Sequence, residues 1–169
     1  MRAEALGRFA IKVNWSNAQL TLRASVAAVI ALVFANWLEL AYPIYAFIAA
    51  VIVTDLDPAT SRKLGFRRTT ATVIGAVCGA VLSFLLPPGP LGVGGGFFLA
   101  MLLAQALGAG EGARVAGYIC GIVLLDHSSE PWHYAFHRFI ETMIGVVAAW
   151  SISYVPKLID FDSNSTKVK

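Results

Sequence analysis

The stretch "GFRRTTATVIGAVCGA" runs from Gly65 to Ala80, and "AFHRFIETMIGVVAAW" runs from Ala135 to Trp150. Seventy residues separate Phe66 from Phe136, Arg68 from Arg138, Thr72 from Thr142, Ile74 from Ile144 and Gly75 from Gly145. Each stretch sets an arginine ahead of a run that is almost wholly apolar. A charge in that position is costly beside hydrocarbon and needs a reason.

Composition says what surrounds those runs. The chain is 57% hydrophobic and 14% charged, with a mean hydropathy of +0.69. A soluble domain carries about 25% charged residues. Too little charge is present to coat a water-facing surface, so a lipid-facing surface is expected. The net charge of +3 is compatible with nucleic acid, but the basic residues lie between apolar segments and not on one soluble face. A nucleic-acid partner is therefore excluded. Cys78 and Cys120 fall inside apolar runs and read as packing residues. Arg2, Arg8 and Lys12 precede no continuous apolar stretch of signal-peptide type. Phe9, Ile11, Val13 and Trp15 make residues 1–17 mildly amphipathic, a cytoplasmic or interfacial segment.

Six apolar runs follow: Leu20–Leu40, Tyr42–Thr54, Thr69–Leu86, Leu91–Leu107, Ala113–Leu125 and Phe139–Val155. The first, third, fourth and sixth approach the ~20 residues that cross hydrocarbon. The second and fifth are short, and must extend, break, or sit inside a shell of the others. Breaks stand at Ala41–Pro43, at Pro87–Pro90 and at Gly108, Gly110 and Gly112. Gly92 and Gly94–Gly96 read as an unwound start of the fourth helix, or as loop. The expected fold class is an all-α integral membrane protein with six transmembrane helices over residues 18–157. Arg2, Arg8, Lys12 and Arg23, then Arg62, Lys63, Arg67 and Arg68, then Arg114, then Lys157, Lys167 and Lys169 all fall on one side. Lysine and arginine favour the cytoplasm, so both termini are expected inside, with residues 158–169 a short cytoplasmic tail.

Arg138 breaks that rule. A three-helix unit repeated once enters the second time from the other face, so the second arginine belongs outside. This is a 3+3 inverted repeat of the kind many secondary transporters use. A chance match between two apolar helix starts is the competing reading. The short second and fifth runs correspond under the same offset, and acids follow both: Asp55 and Asp57, then Asp126.

A helix N-terminus presents free N–H groups and partial positive charge, and an arginine there makes a stronger anion site. Arg68 and Arg138, with Thr72, Thr142 and Tyr45, are the candidate substrate-binding residues. Snorkelling to lipid phosphate is the plainer alternative, and it suffices for Arg62, Lys63 and Arg67. Arg138 also has Glu141 three residues on, within ion-pairing reach on a helix. Asp55, Asp57, Asp126 and Glu141 are candidates for proton coupling, although "DPATS" from Asp57 equally reads as a helix cap. Tyr45 and Phe47 either line a site for an aromatic ring or share in an interfacial belt with Trp37, Tyr42, Trp132, Tyr134, Trp150 and Tyr154. His127, His133 and His137 read as interfacial side chains and not as metal ligands. Gly75-x3-Gly79 and Gly117-x3-Gly121 read as close helix packing. No nucleophile–base pairing, phosphate loop or cofactor motif is evident, so no enzyme and no cofactor is expected.

"YPIYAFIAAVIVTDLDPATSRKLGFRRTTATVIGAVCGA" (Tyr42–Ala80) resembles the membrane module of the fusaric acid resistance and aromatic acid exporter superfamily. Pro43, Tyr45, Val51–Val53, Asp57-Pro58, Arg68, Thr72 and Gly75 stand at that pattern's positions, and "RFIETMIG" (Arg138–Gly145) resembles its last helix. Ala71 stands where the pattern commonly has glycine. The resemblance implies a six-helix module exporting organic acids, aromatic carboxylates among them, across the bacterial inner membrane. Plant malate-permeable anion channels are similar in their membrane part. Such exporters usually add a cytoplasmic domain and often a second module, so a homo-oligomer is expected of a chain with one. Three functions stand at this point: an alternating-access exporter of small organic anions with proton coupling, a passive anion channel, and a non-transporting assembly protein.

Overall fold

A computed structural model describes residues 15–126 and 130–155. The expectations for the N-terminal segment ahead of Trp15, for His127 and for the tail lie outside the described residues. Among the described residues six α-helices follow one another: α1 (Trp15–Trp37), α2 (Ile44–Val53), α3 (Pro58–Leu82), α4 (Pro90–Ala106), α5 (Ala113–Asp126) and α6 (Pro131–Ser153). A 3-10 turn, Gly110–Gly112, precedes α5.

Two helices start well before their apolar runs. α3 begins at Pro58 and not near Thr69, because Asp57 caps it and Pro58 is preset for the first turn. Oδ2 of Asp57 accepts the Thr60 N–H at 3.0 Å and the Thr60 hydroxyl at 2.8 Å, and Oδ1 accepts the Ala59 N–H at 3.3 Å. Leu, Lys and Arg are good helix formers, so "RKLGFRR" continues the helix although it is polar. α6 likewise begins at Pro131 and not at Phe139. The glycines after Pro90 are neither unwound nor loop; they lie within α4.

Small residues fill the interior. Ala27, Ala31 and Ala35 of α1 meet Ala46 and Ala50 of α2 and Ala148 of α6. Ala71 and Ile74 of α3 meet Ala104 of α4 and Ala113 and Ala116 of α5. Among the described residues no leucine is buried, while Phe34, Trp37, Phe66, Phe84, Leu85, Leu91, Phe98 and Leu107 are more than half exposed. A water-soluble protein buries its leucines. Small-inside, large-outside is how helices pack in an apolar medium.

The two halves touch in matched pairs. A Cβ on Gly75 would run into the carbonyl oxygen of Ala116, and one on Gly145 into the carbonyl oxygen of Ala46. Each pair is the other moved by seventy residues and exchanged. Exchange is what a two-fold relation does. Thr72 meets its own counterpart, Thr142, with 3.4 Å between hydroxyl oxygens. α3 and α6 cross there antiparallel: the Ser61 and Ser153 hydroxyls lie 3.0 Å apart at one end, and Ala76 and Ala135 share a cluster beyond the threonines. α1 and α4 end alike too. The Leu40 N–H reaches back to the Ala35 carbonyl over Glu39, and the Ala109 N–H to the Ala104 carbonyl over Gly108. Glu39 and Gly108 have φ of 52° and 76°, the left-handed turn that closes a helix.

Candidate functional site: two buried arginines

Arg68 and Arg138 sit inside α3 and α6, one turn before Thr72 and Thr142. They are not at helix N-termini, so the positive end of a helix lends them nothing. The antiparallel crossing sets them on either side of the threonine pair, about 12 Å apart along the helices at 1.5 Å per residue. They are 3% and 0% exposed. Among the described residues neither guanidinium has a hydrogen-bond acceptor for any of its nitrogens. Aromatic faces surround them instead. The Arg138 guanidinium carbon lies 3.2 Å from the Tyr45 ring centre and 6.0 Å from that of Tyr134, and Arg68 lies 5.7 Å from that of Tyr118. These are cation–π contacts, which attract a cation without supplying the counter-charge. An uncompensated buried ion costs several kcal/mol, so two of them call for an anion.

Glu141 is the one buried carboxylate among the described residues. It is fully buried. No hydrogen bond joins it to Arg138: Oε1 accepts the Tyr42 N–H at 2.8 Å, just ahead of α2, and Oε2 has no partner. The ion pair that competes with substrate binding for Arg138 is therefore not closed by a hydrogen bond. Its counterpart under the repeat is Ala71, also buried. The rings of Tyr42, Tyr45 and Tyr134 cover this corner, 5.6 Å from Tyr42 to Tyr134 and 6.0 Å from Tyr42 to Tyr45.

The structure thus gathers Arg68, Arg138, Thr72, Thr142, Tyr45 and Glu141. It leaves Asp55, Asp57 and Asp126 outside. Asp57 is spent on the α3 cap, and the Thr60 hydroxyl, then the Thr60 and Ala59 N–H groups, hold its carboxyl below the usual range. Asp55 accepts the Asp57 N–H at 3.0 Å, and Asp126 is exposed at the end of α5. Tyr118 and Tyr134 also belong to the site, and Tyr134, one turn before Arg138, is buried there and not part of an interfacial belt.

Arg23 also differs from its reading as a topology marker. It is buried, and donates to the carbonyls of Leu56 at 3.1 Å and Val155 at 2.7 Å, tying α1 to the ends of two other segments. Trp150, read as interfacial, covers Gly65 and donates to the Ser61 carbonyl at 3.2 Å. Both glycine motifs are packing surfaces: Gly75 and Gly79 face α5, and Gly117 faces Phe97 and Met101 of α4. Cys78 and Cys120 are free thiols. His133 and His137 approach at 3.2 Å between Nε2 atoms, but among the described residues no three metal-ligating side chains gather. Apolar grooves of about 520 and 480 Å3 lie between α1 and α2 and between α1 and α6, and neither is lined by either buried arginine.

Residues 17–155 match the family described as aromatic acid exporter family member 1. The chain belongs to that family. It is a family of exporters, a transporter class and not an enzyme class. The chain is also 25% identical over 137 residues to a UPF0421 protein of Staphylococcus haemolyticus, covering 80% of this chain and 41% of that one. A UPF0421 protein of Staphylococcus saprophyticus is 25% identical over 145 residues, 83% of this chain and 44% of the relative. The chain thus spans less than half the length of these curated relatives. No solved structure matches it. Within the described residues one helix, Ser16–Trp37, is long and apolar enough by length and composition to cross a membrane.

Proposed function

We propose that this aromatic acid exporter family chain moves small organic anions, aromatic carboxylates among them, by alternating access in the bacterial inner membrane. One observation carries the reading: two buried guanidiniums face the interior with no acceptor. A carboxylate supplies the missing charge and the missing acceptors together. Rings of Tyr45, Tyr118 and Tyr134 around the arginines offer faces for an aromatic substrate.

In this reading all six helices belong to the membrane domain, with both termini in the cytoplasm. α2 and α5 are too short to cross alone and are flanked by their neighbours. The exchanged contacts of the two halves support an inverted repeat, and the outward aromatic and leucine side chains support contact with lipid and with further copies of the chain. The sealing of both arginines from solvent favours a carrier over an open channel. Glu141 is the proton-coupling candidate that belongs to the site.

In proteoliposomes, Arg68→Gln and Arg138→Gln each lower organic-acid uptake at least about tenfold, about 1.4 kcal/mol in binding terms. Unchanged uptake by a correctly inserted variant removes the mechanism.

A further inference from the structure

Resting on that reading, we infer that Glu141 determines the charge of the anion the arginine pair accepts: a monoanion while Glu141 is ionised, a dianion when it is neutral. Arg68 and Arg138 contribute two positive charges, Glu141 one negative charge, and all three are sealed from water. A buried cluster is stable when its net charge is cancelled on site. Cancelling one remaining positive charge takes one negative charge; without the Glu141 charge it takes two.

Three observations mark Glu141 as more than a packing residue. The repeat needs no carboxylate there, because Ala71 fills the matching position in the first half. Glu141 is not tied up in a direct pair with Arg138, whose nitrogens make no hydrogen bond to it. Finally, Oε2 is buried and unpartnered, so one face of the carboxylate remains available to the site. The bond from Tyr42 N–H to Oε1 fixes the group in place.

The test uses the purified full chain and two probes that stay ionised at any working pH, benzenesulfonate and meta-benzenedisulfonate. Binding of each is read as ligand-induced thermal stabilisation. Wild-type protein prefers the monosulfonate. Glu141→Gln shifts the ratio of the two apparent affinities toward the disulfonate by at least about tenfold, and Glu141→Asp retains the wild-type order. A Glu141→Gln ratio within about twofold of wild type, with both probes still bound, overturns the inference and leaves the anion site standing. Binding of neither probe to wild type overturns both.

Should Glu141→Gln not fold, the same ratio is read on Glu141→Ala, which copies Ala71 of the first half. It too shifts toward the disulfonate by at least about tenfold, and a ratio within about twofold of wild type overturns the inference.

Discussion

Arg67 and Arg68 are neighbours with opposite environments. Arg67 is partly exposed, while Arg68 is buried against Tyr118. A helix turns 100° per residue, so adjacent side chains cannot share a face, and which arginine points inward is a matter of helical phase. That phase runs from Asp57, where the cap starts α3. The pH behaviour of the cap follows. Its folded carboxyl titrates below the unfolded one, so its stabilisation is complete above the unfolded value and is lost as pH falls through the folded value. Asp57→Asn removes that part of the acid-side loss of thermal stability while retaining a side-chain cap, and Asp57→Ala lowers stability at neutral pH. Melting curves across the acid range check both. Glu39 holds a left-handed turn that its counterpart fills with Gly108. Glu39→Gly raises stability by about 1 kcal/mol, measured as a higher melting temperature.

At the scale of elements, α3 and α6 are the paired central helices, each seated on a short helix by one glycine. Gly75→Val and Gly145→Val each cost about 1–3 kcal/mol or more, because backbone stands where the side chain would go. Two nearly equal losses support the matched halves; a loss at one site alone contradicts them. Gly94 on α4 has open space beside it, so Gly94→Ala stabilises by about 0.5–1 kcal/mol. Spacing made the glycine pairs legible as packing residues, since i and i+4 share a helix face. The helix starts were not legible from hydropathy, which follows apolar runs and passes over the polar turns of "ATSRKLGFRR". Those turns put Arg68 inside α3, and the early start of α6 at Pro131 does the same for Arg138; in the proposed function the anion attraction then comes from bare guanidinium charge and not from helix ends.

At the scale of the whole molecule, the outside is greasier in its large side chains than the inside. Single cysteines at Lys63 and Glu130, in a background without Cys78 and Cys120, report the expected topology. Lys63→Cys is labelled from the cytoplasmic side and Glu130→Cys from the opposite side; labelling of both from one side contradicts the inverted arrangement. Sequence alone determined the apolar class, the six helical runs and the recurrence of Phe, Arg, Thr, Ile and Gly at an offset of seventy residues, because composition and spacing are local and survive without a fold. Only the tertiary structure decided that Arg68 and Arg138 lose their water, that Thr72 touches Thr142, and that Glu141 bonds Tyr42 instead of pairing with Arg138. In a chain whose exterior is as apolar as its core, hydropathy cannot tell inside from outside. What makes that distinction is the close approach of small residues across the halves, which depends on pairs far apart in sequence.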